Sequence, residues 1–335
     1  MMKFIRYLLF PIVPVYYLVT WLRNKLYDLG IKKSTSYNFP VICVGNLSVG
    51  GTGKTPMIEY LIRLLKDDRQ IATLSRGYKR QTKGFVIADK NATANTIGDE
   101  PFQFYQKFQD IVVSVDGDRV HGISKLTALP NPPEVILLDD AFQHRKVTAG
   151  FHVLLTSFDH LYTDDILLPT GDLREPRGGA IRADIIVVTK CPEKLSEENK
   201  NKIRGKLNPL EHQEVFFGHI GYSKFIRSNK DHIDLESLKN RPFTLVTGIA
   251  DPKPLVAYLK SLELQFEHLK FKDHHDFSEN ELKDLKQKPL IVTTEKDMMR
   301  LEPHFKIDDA VYYLPIEMKI DRQSEFDALV RSFVK

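Results

Sequence analysis

Pro40-Val41-Ile42-Cys43-Val44-Gly45-Asn46-Leu47-Ser48-Val49-Gly50-Gly51-Thr52-Gly53-Lys54-Thr55 is the stretch on which the fold turns. Its first half is an uncharged apolar run, the pattern of a parallel strand buried on both faces. Its second half carries the Gly-Lys-Thr core of a Walker A loop. Glycines let backbone N–H groups curl around phosphate oxygens, Lys54 reaches the β and γ phosphates, and the Thr55 hydroxyl can hold Mg²⁺. From Met57 to Lys66, the apolar residues Ile58, Leu61, Ile62 and Leu65 recur at helical spacing. A helix N-terminus therefore follows the loop and adds partial positive charge. Ser48, Val49, Gly50, Gly51, Thr52, Gly53, Lys54 and Thr55 are the expected ATP-binding residues. Ser48 stands where GxxxxGK[ST] has its first glycine. Val49 stands where dimerising ATPases with a deviant loop carry a second lysine, which argues against that class.

Working outward, Val135-Ile136-Leu137-Leu138-Asp139-Asp140 is an apolar strand ending in acids, as a Walker B element needs to present a carboxylate to Mg²⁺. Further apolar runs at 71–74, 85–88, 111–115, 153–155 and 185–188 alternate with helical or loop segments. Such alternation predicts an α/β fold, a mostly parallel sheet of P-loop NTPase type with helices on both faces. The strand ending in Thr189-Lys190-Cys191-Pro192 has proline where a guanine-reading aspartate would stand, which favours ATP over GTP. A second αβ series runs through Thr244-Leu245-Val246-Thr247, Leu290-Ile291-Val292-Thr293 and Val311-Tyr312-Tyr313-Leu314. The expected organisation is an N-terminal segment 1–33, a P-loop domain 34–228 and a smaller α/β domain 229–335, whose extreme C-terminus is free to pack back on the first.

The chain has 335 residues, 42% hydrophobic and 27% charged, enough for two packed domains and incompatible with disorder or a coiled coil. Two cysteines, Cys43 and Cys191, cannot make a disulfide framework or, by themselves, a four-thiolate zinc site. Residues 1–33 hold six basic residues against Asp28, whereas the remainder has 42 basic and 43 acidic. Basic character is thus a property of the N-terminal segment, and no nucleic-acid surface is expected.

That segment has no charge between Arg6 and Arg23, roughly 16 residues against the ~20 of a spanning helix, and Pro11 and Pro14 interrupt it. Tyr16, Tyr17, Trp21 and Tyr27 are interfacial aromatics, and the flanking charges are basic. Together they suit a helix lying in an anionic membrane surface, with packing on the protein body or a short span as alternatives. No alanine precedes Ala72, so a signal cleavage site is not expected and the segment should remain on the mature protein.

Several motifs remain open on the residues alone. Gly98-Asp99-Glu100-Pro101 puts two acids in a turn before an aromatic helix, either capping it or serving a site. Lys272-Asp273-His274-His275-Asp276-Phe277 clusters titratable groups; adjacent histidines in an extended segment face opposite ways, so zinc is not expected. Ser75-Arg76-Gly77-Tyr78 and Asp116-Gly117-Asp118-Arg119 each follow a strand, where the site of an open α/β sheet forms. The arginines of Leu173-Arg174-Glu175-Pro176-Arg177 can clamp phosphate or make surface ion pairs.

Taken together, Val44-Gly45-Asn46-Leu47-Ser48-Val49 running into GGTGKTP, Leu74-Ser75-Arg76-Gly77-Tyr78, GDEP at 98–101, Asp139-Asp140-Ala141-Phe142-Gln143-His144, Leu173-Arg174-Glu175-Pro176 and Asp273-His274 resemble the tetraacyldisaccharide 4'-kinase family of lipid A biosynthesis. The likeness covers almost the whole chain; Ala141, where glycine is commoner in the family, is a small departure. The resemblance implies an ATP- and Mg²⁺-dependent kinase at the cytoplasmic face of the Gram-negative inner membrane. Its substrate would be an acylated glucosamine disaccharide 1-phosphate, phosphorylated on the 4'-hydroxyl to give lipid IVA. It implies Asp99 as the base, supported by His274 rather than His275. Lys54 would act catalytically beside them, with Thr55, Asp139, Asp140, Glu100 and Gln143 on the metal side. Asn46, Arg76, Arg119, Arg174 and Glu175 would meet substrate or phosphates. A monomer is expected. The competing reading is a membrane-attached P-loop switch or assembly ATPase.

Overall fold

The structure, a computed structural model, describes residues 6–228, 230–273 and 275–335. Strand β1 (Val41–Asn46) runs through the middle of a nine-stranded sheet and is buried at every position. The other strands are β2 (Ile71–Ser75), β3 (Val86–Ile87), β4 (Val112–Val115), β5 (Val135–Asp139), β6 (Phe151–Ser157), β7 (Ile185–Thr189), β8 (Glu214–Tyr222) and a late arrival, Ile316–Ile320. Their order is Ile316–Ile320, β8, β7, β6, β1, β5, β2, β4, β3. All pairings are parallel except the two outermost, where Ile316–Ile320 runs antiparallel to β8 and β3 antiparallel to β4. The sheet is mostly parallel, as its apolar runs predict.

Both faces are covered, which is why these strands read as continuous apolar runs. Alternate side chains divide between the two layers. Val41 and Cys43 join Ile136, Leu138 and Leu154 in one core, while Ile42 and Val44 join Leu137, Val153 and Met57 in the other. The second core holds helix α2 (Lys54–Leu65), which starts at the end of the phosphate loop and buries Met57, Ile58, Leu61 and Ile62. Helix α3 (Asp99–Lys107) also packs there through Phe104. Helix α4 (Arg119–Thr127) sits on the opposite face, burying Ile123 and Leu126.

A second, six-stranded sheet has β9 (Phe225–Arg227), β10 (His232–Asp234), β11 (Phe243–Thr247), β12 (Phe266–Lys270), β13 (Ile291–Thr294) and β14 (Val311–Leu314), in the order β10, β9, β14, β13, β11, β12. The chain passes from the first sheet to the second between Tyr222 and Phe225. The second sheet thus already holds β9 ahead of residue 228, and the polar stretch after it contains β10, an edge strand with little to bury. The chain then returns after Leu314: Ile316–Ile320, here β15, pairs with β8, and helix α9 (Gln323–Phe333) lies on the first sheet. Phe326 of α9 is fully buried and meets Tyr60 at 5.5 Å and Phe216 at 5.3 Å, both edge to face. Phe326→Ala is expected to cost about 3–5 kcal/mol of stability, checked by urea unfolding.

Helix α1 (Val13–Asp28) has no buried residue. Val13 and Tyr16 pack on the first core. The Tyr16 hydroxyl donates to the Arg174 carbonyl (3.0 Å), Arg23 to the Gln143 carbonyl (2.7 Å) and Asn24 to the Glu175 carboxylate (2.8 Å). Val15, Leu18, Val19 and Leu22, at i, i+3, i+4 and i+7, make an exposed apolar stripe. Among the described residues, no helix is long and apolar enough to cross a membrane.

Candidate active site

The phosphate loop leaves the carboxyl end of β1 and is braced by the 165–174 segment. Val49 N–H donates to the Asp172 carbonyl and Arg174 N–H to the Leu47 carbonyl, each at 2.7 Å. Gly50 and Gly53 have φ of 108° and 85°, conformations that favour glycine. On the far side the Thr189 hydroxyl donates to the Thr52 carbonyl at 2.7 Å. The sequence thus buries a rigid strand, then supplies residues able to curl, then a helix whose first turn is Lys54-Thr55.

Strand β5 lies beside β1 with Asp139 opposite Val44, so its terminal acids reach the loop. Asp139 is buried; the Ser75 hydroxyl donates to its Oδ2 at 3.3 Å, while its Oδ1 has no protein partner. Burial, reinforced by the Glu100 and Asp140 carboxylates, pushes its carboxyl up to about 7. Asp140 has φ 48°, a left-handed conformation that is costly for aspartate and turns it toward Lys54, whose Nζ is 3.7 Å away. Arg174 grips Asp140 with both terminal nitrogens, at 2.8 and 3.2 Å. Burial acts to raise the Asp140 carboxyl, but Lys54 and Arg174 outweigh it and hold it below its ordinary range.

Across the loop, Asp99 and Glu100 open helix α3. Gly98 before them has φ 94°, and a Cβ there would come within 3.1 Å of the Tyr78 carbonyl, so glycine fits this corner. Their partners come from helix α8 (Glu295–Leu301), which follows β13 of the second sheet. Arg300 pairs with Asp99 and Lys296 with Glu100, the latter at 3.2 Å. A cleft of about 390 Å³ lies between the halves. Its floor is Gly51, Gly53, Lys54 and Thr55, Glu100 and Lys296 line its side, and Ile220, Tyr222, Ile249 and Leu255 form an apolar wall.

Other expected residues have different surroundings. Arg119, expected at phosphate, is buried and donates to the Asp116 and Asp139 carbonyls at 2.8 and 3.2 Å, tying two strand ends together beneath the site. Gln143, expected on the metal side, donates to the Asn46 carbonyl and the Glu175 carboxylate at 2.8 and 2.9 Å. Glu175 is buried and also takes Asn24 and Arg182, so these two residues tie α1 to the loop side of the sheet. Asn46 orients Ser48 through its carbonyl at 2.7 Å and meets Arg174. Arg76 is exposed at the carboxyl end of β2. His274 lies outside the described residues. His275 is turned to Glu281, 3.0 Å away, and stacks on Phe271.

Sequence reasoning missed Lys296 and Arg300. Their signal was present: two cations four residues apart, on one face of a helix that opens directly after a buried strand. It also passed over His144, which is half-buried, has an Nε2 without a partner, and is pushed by burial down to about 4, hence neutral at working pH.

A phosphate loop on a central parallel strand, an acid on the neighbouring strand and a carboxylate pair across one cleft define a P-loop phosphotransferase. The family model for LpxK, tetraacyldisaccharide-1-P 4'-kinase, matches residues 5–335. A tetraacyldisaccharide 4'-kinase of Flavobacterium johnsoniae is 52% identical, covering 100% of this chain and 98% of that one. One from Bacteroides thetaiotaomicron is 43% identical over 98% and 93% of the two chains. The crystal structure of LpxK from Aquifex aeolicus in complex with ATP superposes with a TM-score of 0.79 at 30% identity, covering 99% and 100%. The chain belongs to the tetraacyldisaccharide 4'-kinase family and is a kinase.

Proposed function

We propose that the chain carries the γ-phosphoryl group of ATP to the 4'-hydroxyl of an acylated glucosamine disaccharide 1-phosphate, giving lipid IVA, with Asp99 as base. The observation that carries this reading is that Lys54 and Glu100 line one cleft, with Asp139 buried within electrostatic reach of both and Asp99 next to Glu100 at the start of α3. The purine lies against the apolar wall of Ile220, Tyr222, Ile249 and Leu255, and the phosphates follow the loop to Lys54. Lys54 and the N-terminus of α2 meet the charge that gathers on the transferred group. Asp99 orients the sugar hydroxyl in line and takes its proton late in the transfer, with His274 as the residue assigned to assist it.

Thr55 and Asp139, with Glu100 beside them, would hold Mg²⁺. The fit rests on Asp139, whose buried, unpartnered oxygen and raised carboxyl describe a cation-seeking site. When bound, the ion supplies charge neutralisation at the phosphate oxygens. Asp140, held by Lys54 and Arg174, keeps the lysine aimed along the loop. Arg76, exposed at the carboxyl end of β2, would meet a substrate phosphate.

An acylated substrate stays in the bilayer, since each buried CH₂ is worth about 0.8 kcal/mol. The enzyme therefore works peripherally, as a monomer, at the cytoplasmic face of the inner membrane, with the stripe Val15-Leu18-Val19-Leu22 laid into the lipid. Leu18→Ser with Leu22→Ser is expected to lower co-sedimentation with anionic vesicles about tenfold or more, with the unfolding midpoint unchanged. The functional reading is tested by ADP release in detergent micelles. Release that requires tetraacyldisaccharide 1-phosphate supports the kinase described here; equal release without acceptor supports a switch ATPase.

A further inference from the structure

Helix α8 belongs to the second sheet, yet its charged side chains end on groups of the first. Lys296 and Arg300 lie four residues apart on one helical face and meet the two acids that open α3. Arg300 reaches Asp99 as a fork: Nη2 bonds Oδ2 and Nε is 3.3 Å from Oδ1, with only 10% and 17% of the two side chains exposed. Glu295, one step before Lys296, meets Lys107 at 2.6 Å, and Lys107 is 2.7 Å from Glu59 of the phosphate-loop helix. Gln103 donates to the same Glu59 at 2.8 Å. The start of α8 is itself fixed, because Asp297 accepts from the Gly248 N–H at 2.8 Å and from the Thr294 hydroxyl at 2.7 Å. Helix α8 is thus pinned to α3 at both ends and, through Lys107, to α2.

We propose that Arg300 is a positioning residue for phosphoryl transfer: the second half of the molecule supplies the guanidinium that fixes the orientation of the Asp99 carboxylate. The inference rests on the reading of Asp99 as base and adds the residue through which that base is aimed. A carboxylate on the first turn of a helix has free rotamers; a two-point contact from a planar fork removes them, which a point charge does less well. The base site is therefore assembled from both halves, and Asp99 on α3 alone is incomplete.

The test is a kinetic cycle on the full-length enzyme with ATP and tetraacyldisaccharide 1-phosphate, using Arg300→Met, Arg300→Lys, Asp99→Asn and the Asp99→Asn/Arg300→Met double variant. Arg300→Met is expected to lower kcat about 10–100-fold with KM for ATP within about threefold, since a misplaced catalytic group costs rate rather than nucleotide affinity. Arg300→Lys is expected to recover at least about half of that loss on a logarithmic scale. On the Asp99→Asn background, Arg300→Met should change kcat by no more than about twofold, because its route of action is already gone. A full multiplicative loss on that background overturns the proposal and leaves the base reading intact, as does wild-type kcat in Arg300→Met. Wild-type kcat in Asp99→Asn removes the base reading and this proposal together. Should the methionine variant not fold, Arg300→Gln replaces it: a loss of about tenfold or more supports the proposal and wild-type kcat overturns it.

Discussion

Lys54→Ala is expected to lower phosphoryl transfer about 10²–10³-fold or more while leaving the fold intact. The loss has two parts. The ammonium that meets the β and γ phosphates disappears, and Asp140, which Lys54 approaches at 3.7 Å, is left with Arg174 as its remaining cation. The Asp140 charge is then balanced by one contact fewer beside the phosphate loop, so the variant weakens attraction for the triphosphate twice over. Lys54 is on the first turn of α2 and contributes nothing to the apolar core beneath it, which Met57, Ile58, Leu61 and Ile62 make. Thermal unfolding of the variant should therefore shift little, separating lost chemistry from lost structure. Turnover and unfolding midpoint measured on the same preparation check both halves of this expectation.

Asp99→Ala is expected to reduce kcat about 10²–10⁴-fold, the range that a positioned general base supplies. Its effect should fall on kcat more than on KM for ATP, because the proposed base acts on the acceptor whereas the phosphate loop holds the nucleotide. Removal also takes the Asp99 contact from Arg300, whose side chain is mostly buried there, so some loss of stability accompanies the loss of rate. Asp99→Asn, of nearly the same shape, separates the two contributions: it keeps much of the packing and loses the base. Near wild-type kcat in either variant removes Asp99 from the chemistry.

The central part of this account was legible in the sequence because it is local. From Val41 to Leu65, strand, loop and helix follow one another without interruption, and each residue type answers a need of its own position: apolar where both faces are covered, glycine where φ is positive, lysine and threonine where the helix opens. The parallel sheet was legible for the same reason, since a strand buried on both faces carries an unbroken apolar run.

What was not legible depends on distant partners. The extreme C-terminus was open to packing back on the first domain, but nothing in the pattern of Ile316–Ile320 names β8 as its neighbour, which the pairing of Gly218 with Ile320 shows. Asp99 and Arg300 are 201 positions apart, so neither residue announces the other. The same holds for Arg119, Gln143 and Glu175, whose distant protein partners are carbonyls and side chains of neighbouring strands and of α1. A motif marks the neighbourhood of a site; which of its side chains face the cleft and which brace its walls is decided by tertiary packing.

The most direct test of the central claim is transfer of labelled γ-phosphate from ATP to tetraacyldisaccharide 1-phosphate in detergent micelles, with and without Mg²⁺, beside Lys54→Ala. Labelled lipid that depends on the metal and is lost in the variant is the expected result. ATP hydrolysis at full rate with no label in the lipid would contradict it.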